Sequence, residues 1–421
     1  MIRNALVAGT VCLGATGVAS AETVSLFCSS SGTEYELCSG AANAWAAETG
    51  NEVKINKMPA AWDEALPLYQ QLLAAQSADA DVMLLDVIWV GLLKDHLLDL
   101  RTVVPAEEID QHFASIVDAG TVGGKFVAMP WYADTGLLFY RKDLLEKYGK
   151  PVPATWEELA ATAQEIQDGE RAEVNADMWG YVWQGKAYEG LTCDAIEWVA
   201  SNGGGHIVEA DGTISINNPD AVKAVAAAAG WVDSISPKGV LDYDEEGSRG
   251  VFETGNAVFH RNWSYVWGTS QADGAKLKGL VGVAALPSGG EGKTSAGCMG
   301  TAHLGISAYT QHPEAAASLL RYLTGAKEQK RRVIEAAYNP TISTLYEDAD
   351  VTAAAPFLAD AKKAFDEAAN RPSAATLGDY NKVSSAFYTA VHAVLAGETD
   401  AASALEVLAA DLDKIKSRGG W

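Results

Sequence analysis

The sequence predicts an α/β protein built as two interleaved lobes, and three observations predict it. From residue 23 onward short apolar strands alternate with helical segments, the pattern of a parallel sheet. About 400 residues follow an N-terminal leader, more than one core usually organises. No repeat or low-complexity linker separates two halves, so the lobes must interleave.

The leader is read from a positive start, Met1-Ile2-Arg3-Asn4, a small apolar run over residues 5–18, and Ala19-Ser20-Ala21 ahead of Glu22. Cys12 follows Gly9-Thr10-Val11, a poor lipoprotein box, so a freely soluble, periplasmic chain cleaved near Ala21 is expected. No later stretch approaches the roughly 20 apolar residues that a membrane helix needs. Cleavage removes Arg3 and no acid, moving the formal charge from −24 to −25. That charge opposes phosphate backbones and anionic membranes, so nucleic acid is not expected as a partner. The four remaining cysteines, Cys28, Cys38, Cys193 and Cys298, can oxidise in an exported chain, and sequence does not choose their pairing. Without CxxC or clustered histidines, no structural metal site is expected.

Residues 23–28 read as a strand, residues 29–34 as a polar loop opening a helix toward Glu48, residues 52–58 as a second strand, and Trp62 to Gln76 as a helix by its Leu66, Tyr69, Leu72, Leu73 spacing. Residues 80–86 form a buried strand ending in a carboxylate. Ligands of such sheets lie outside the carboxyl ends of the strands, which places Glu34 and Asp86 at one edge. The structural alternatives are a first-turn acid for Glu34 and a helix N-cap for Asp86.

Met129 to Lys142 (MPWYADTGLLFYRK) sets aromatics and a lone carboxylate before an apolar run. Pro130 cannot donate to a ladder and marks a loop or an edge, whereas Leu137 to Tyr140 has the length of a buried strand. Trp131, Tyr132 and Asp134 thus stand where a strand enters or leaves a domain; the alternative is a strand edge whose aromatics belong to the core and whose Asp caps a turn. An aromatic face can pack on the C–H face of a pyranose while a carboxylate accepts its hydroxyls. Asp143 is expected to cap a short helix to Tyr148, and Thr155 with Glu158 to form a capping box on a helix reaching about Asp168. Trp179, Tyr181 and Trp183 share a strand face, and Trp183, beside Gly185, is the one expected to meet ligand. Asn218-Pro219 caps and starts a helix. Gly255 to Tyr265 gives a strand followed by an aromatic loop that carries Trp263 and Tyr265. Gly292-Lys293-Thr294 ends like a phosphate loop, but position 287 is Pro where that loop needs Gly. Residues 302–306 are a last strand before a mostly helical remainder broken at Arg371-Pro372.

Taken in order, Asp81 to Trp89 (DVMLLDVIW), Leu137 to Gly149 (LLFYRKDLLEKYG), Thr155 to Leu159 (TWEEL), Trp179 to Lys186 (WGYVWQGK), Tyr188 to Leu191 (YEGL), Ser201 to Gly204 (SNGG) and Arg261 to Gly268 (RNWSYVWG) carry a resemblance. Nearly the whole mature chain resembles the maltose/trehalose-binding branch of the extracellular solute-binding proteins that serve carbohydrate ABC transporters. The resemblance implies the periplasmic-binding-protein (Venus-flytrap) fold, with hinge strands joining lobe I (22–135 with 301–342) to lobe II (136–300 with 343–421). It implies a non-catalytic monomer without cofactor that holds a sugar or glycoside in the cleft and meets a membrane permease with its ATPase. Matched residue by residue, it places ligand contacts at Glu34, Asp86, Tyr132, Asp134, Trp263, Tyr265, Gly300 and Arg371; Trp183 is added from the residue reading alone. Where the branch has Gly-Trp before His303 this chain has Thr301-Ala302, it lacks an arginine near Ala65 and Leu66, and Ile342 stands where the branch has Arg. The general glycoside class is therefore implied and the particular sugar left open. An anionic or non-sugar ligand, suggested by Arg371 and Lys186, and an exported glycoside hydrolase using two of Glu34, Asp86 and Asp134 are the alternatives. No Gly-x-Ser-x-Gly supports an esterase.

Overall fold

The computed structural model describes residues 21–30, 32–59 and 62–421; the leader expected over residues 1–21 lies, apart from Ala21, outside the described residues. The strands are β1 (Thr23–Cys28), β2 (Glu52–Lys57), β3 (Val82–Asp86), β4 (Thr121–Val122), β5 (Lys125–Phe126), β6 (Met129–Tyr132), β7 (Leu137–Arg141), β8 (Trp179–Val182), β9 (Ala257–Asn262), β10 (Val281–Ala285) and β11 (Ala302–Ile306). A first sheet runs β2-β1-β3-β11-β6, a second runs β10-β7-β9-β8, and β4 pairs with β5.

In the first sheet β1 lies parallel to β2 and β3, with a helix after β1 (Gly32–Thr49) and after β2 (Trp62–Ala74) making the crossovers such strands require. β11 enters antiparallel between β3 and β6, although about 170 residues separate it from β6 in the chain; that insertion interleaves the two lobes. Val82 to Leu85 are buried, as a strand covered on both faces must be, and helix Pro313–Thr324 packs on the neighbouring β11 and β6. Pro130 sits in β6, an edge strand, where its missing N–H breaks no ladder. At the opposite edge β2 alternates exposed Glu52, Lys54 and Lys57 with half-covered residues.

The second sheet is covered on both faces. One face carries Leu138, Tyr181 and Val258 against helices that include Trp156–Glu173, Glu189–Ser201 and Tyr380–Leu395; the other carries Leu137, Phe139 and Val281 against residues 351–364. The Thr155–Glu158 capping box is present and its helix runs past the expected end to Glu173. Asn218 caps Pro219–Trp231 as expected. Asp143 does not cap its helix: Lys142 already begins it, and the Asp143 carboxylate accepts from the Arg141 guanidinium at 2.8 Å. A disulfide joins Cys28 to Cys38, tying the end of β1 to the helix that follows it.

The chain crosses between the sheets at residues 133–136 and again at 297–301. These crossings are laced together, Gly136 N donating to Cys298 O at 3.3 Å and Gly300 N to Asp134 O at 2.9 Å, and Ala133 N donates to Asn339 O at 3.0 Å. No helix among the described residues is long and apolar enough to cross a membrane.

Candidate ligand-binding site

The two sheets present their ends to one another. Register puts Asp86, Ala302 and Tyr132 side by side on three neighbouring strands of the first sheet, and Glu34 follows the end of β1 on its helix. From the second sheet, Trp263 and Tyr265 follow the end of β9 directly, opposite the start of β7 at Leu137. Glu34, Asp86, Tyr132, Asp134 and Arg371 are all buried, and Trp263, Tyr265 and Gly300 are half-buried.

Tyr132 donates its hydroxyl to Glu34 Oε1 at 2.8 Å. Arg371, in the break between two helices, forks onto Asp86 with Nη2 to Oδ1 at 2.6 Å and Nη1 to Oδ2 at 3.0 Å, the bidentate geometry that makes guanidinium–carboxylate pairs strong. The same guanidinium donates to Glu189 Oε1 at 3.1 Å and to the Met299 carbonyl at 3.2 Å. Glu189 in turn accepts from the Tyr380 and Ser384 hydroxyls. Arg371 thus links the carboxyl edge of the first sheet to a helix packed on the second.

Asp134 sits on the crossing itself. Its Oδ1 accepts from Thr135 N at 3.0 Å and Ser264 N at 3.2 Å, yet burial outweighs those bonds and raises its pKa from 3.8 to about 7. The folded state therefore holds this proton more tightly than the unfolded chain, so the contribution of Asp134 to stability is lost as pH rises from about 4 through 7. Urea midpoints across that range should fall for this reason, and Asp134→Asn should flatten the slope; an unchanged slope would refute the assignment.

Trp263 lies with its ring over the Arg261 guanidinium, centroid 4.2 Å away, and Arg261 is clasped below by Glu197 and Gln184 in full burial. Gly300 lets that ring approach: a Cβ there would stand 2.7 Å from Trp263 Cζ3. Gly300→Ala should fold but shift the ring, weakening ligand by about tenfold in a fluorescence titration; equal affinity would remove Gly300 from the site. Tyr265 donates to Glu246 Oε1 at 2.7 Å.

Trp183 is a correction. β8 ends at Val182, but alternation continues one residue further and turns Trp183 to the face of Tyr181, inside an aromatic core. The residue is fully buried, packs edge-on against Trp198 at 4.9 Å, and donates Nε1 to Ser236 Oγ at 3.0 Å.

Other residues join the constellation without having been singled out. Glu189, Glu245 and Glu246 are first-turn helical acids, a position every ordinary helix favours; Glu245 accepts from Tyr188 at 2.7 Å and Trp263 at 3.4 Å. Arg332 sits in a Lys330-Arg331-Arg332 run. Its guanidinium lies 4.0 Å from the Trp131 ring and 4.7 Å from the Tyr338 ring, behind Tyr132.

With this geometry in place, residues 30–330 match the family model of the bacterial extracellular solute-binding protein. The chain belongs to that family. It is 48% identical over 411 residues, 97% of each chain, to a probable ABC transporter-binding protein of Deinococcus radiodurans. It is 28% identical over 314 residues, 71% of this chain and 66% of the other, to the maltodextrin-binding protein MdxE of Bacillus subtilis. Among solved structures, maltose-bound T. maritima MalE3 superposes with a TM-score of 0.88 at 36% identity, covering 94% of this chain and 100% of that one. The solute-binding protein therefore has the two-lobed periplasmic-binding-protein fold, is the extracytoplasmic, non-catalytic binding component of an ABC transporter, and works with permease and ATPase subunits.

Proposed function

We propose that the ligand is a small α-glucoside, a disaccharide or a glycosylated small solute, bound between the sheet ends by Glu34, Asp86, Tyr132, Asp134, Trp263, Tyr265, Gly300 and Arg371. The observation that supports this is the convergence of carboxylates and one arginine with half-buried Trp263 and Tyr265 beside the crossings between the two sheets. Carboxylates accept sugar hydroxyls and fix their pattern, while ring faces cover the apolar side of a pyranose. A ligand touching both lobes stabilises the closed arrangement by its differential contacts. The likeness to maltose-bound T. maritima MalE3 supports the same class. Ala302, between Asp86 and Tyr132, leaves room where the resembled branch places a ring, so the bound solute differs in shape on that side.

An anionic ligand is disfavoured because Arg371 is already neutralised by Asp86 and Glu189, and Lys186 is exposed and lies 5.6 Å from the Tyr188 ring centroid. The reading includes lobes of residues 22–135 with 301–342 and 136–300 with 343–421, a monomer, and a leader removed near Ala21. The test is intrinsic tryptophan fluorescence of the mature protein titrated with maltose, trehalose, sucrose, a glucosylglycerol, sorbitol and a sulfonated glucoside. Saturation by a neutral glucoside is expected, with no sugar released from it. Saturation by the sulfonated compound or sorbitol alone would overturn the ligand class.

A further inference from the structure

Among the described residues, the two cysteines outside the Cys28–Cys38 bridge are far apart in sequence and adjacent in space. Cys193 sits on helix Glu189–Ser201 and Cys298 on the crossing at 297–301; both are buried, with sulfurs 2.6 Å apart. Non-bonded heavy atoms rest at roughly 3.5–4.0 Å, so this is a closer approach than two separate thiols adopt.

The backbone brings them together independently of the sulfurs. Cys298 N donates to Glu197 Oε1 at 2.9 Å, and Glu197 stands one helical turn from Cys193. Met299 N and Ala369 N add bonds at 3.0 Å and 2.7 Å that hold the crossing against residue 369. The crossing is thus docked on the helix at a point that leaves the sulfurs facing each other.

We propose that Cys193 and Cys298 form a second disulfide in the exported protein. The step is exchange with a protein disulfide donor, the class of oxidant present where exported chains fold. One cysteine thiolate attacks the donor disulfide, the other displaces the donor from the mixed disulfide, and the donor leaves as a dithiol carrying the two electrons and two protons. Burial requires this exchange to precede final docking and shields the bond afterwards. The bond fastens the segment that carries Gly300, and that offers the Met299 carbonyl to Arg371, to the helix that carries Glu189.

The test traps thiols in the acid-quenched extract, unfolds the protein, and applies iodoacetamide before and after reductant. No cysteine should react before reduction and all four of the mature chain should react after it, with an unreduced peptide pair joining Cys193 to Cys298. The same pair should survive in a Cys28→Ala/Cys38→Ala variant. Modification of Cys193 and Cys298 without reductant, or crossed pairing with Cys28 or Cys38, overturns the proposal. If that double variant does not accumulate, Cys193→Ala alone decides: Cys298 should become reactive without reductant in the variant and stay unreactive in the parent, and reactivity in both overturns it.

Discussion

Arg371→Met is expected to weaken ligand binding by about 2–5 kcal/mol, the scale on which truncating one member of a buried, hydrogen-bonded charge pair acts. The substitution keeps much of the side chain's volume and removes its charge. Asp86 and Glu189 would then face one another across the cleft with no cation between them, and like charges favour opening. Two readouts separate the effects: the fluorescence titration gives the affinity, and small-angle scattering of the unliganded protein should show a larger radius of gyration. Asp86→Asn retains one acceptor and should cost about 2 kcal/mol. Wild-type affinity in both variants would remove the Asp86–Arg371 pair from the binding site.

Arg261→Met should cost about 3–5 kcal/mol of folding stability, because it leaves buried carboxylates uncompensated. Arg261 is fully enclosed; Glu197 accepts from two of its nitrogens, Gln184 from a third, and Asp194 lies 3.6 Å away. Burial pushes the Asp194 carboxyl well above its ordinary range. Urea unfolding is the measurement, and Arg261→Met/Glu197→Met should recover part of the loss, since an apolar replacement of the whole pair removes the desolvation penalty too. A single-variant loss below about 1 kcal/mol would show that water or rearrangement satisfies Glu197. The cluster is also the floor under Trp263, so ligand affinity should fall in the same variant.

Much of this site was legible because strand periodicity and the edge rule act locally. Asp86 ends an apolar run, and its neighbours in the sheet follow from register once β11 is placed between β3 and β6. That placement was the harder inference, since pairing of β11 with β6 joins segments about 170 residues apart and nothing local announces it. Glu189, Glu245 and Glu246 were invisible for a different reason: an acid in the first helical turn is favourable whether or not anything else needs it. Arg332 stands in a basic run, and only tertiary packing turns it inward onto aromatic faces. Trp183 was misplaced because the end of a ladder was taken as the end of burial. Side-chain alternation depends on extended backbone, which outlasts the last hydrogen-bonded pair. The Cys28–Cys38 bridge stayed open in the sequence because loop length permits a pairing without requiring it.

The borders of the first sheet bear on how the protein behaves in a crowded exterior compartment. A sheet edge is a template on which another chain's strand can add. Here β6 is buried under the fold and interrupted by Pro130, while β2 displays Glu52, Lys54 and Lys57 along its length. One border is therefore shut by covering and by a missing donor, the other by charge that an incoming strand would have to desolvate. Both borders in this way keep the protein from propagating its own sheet into fibres.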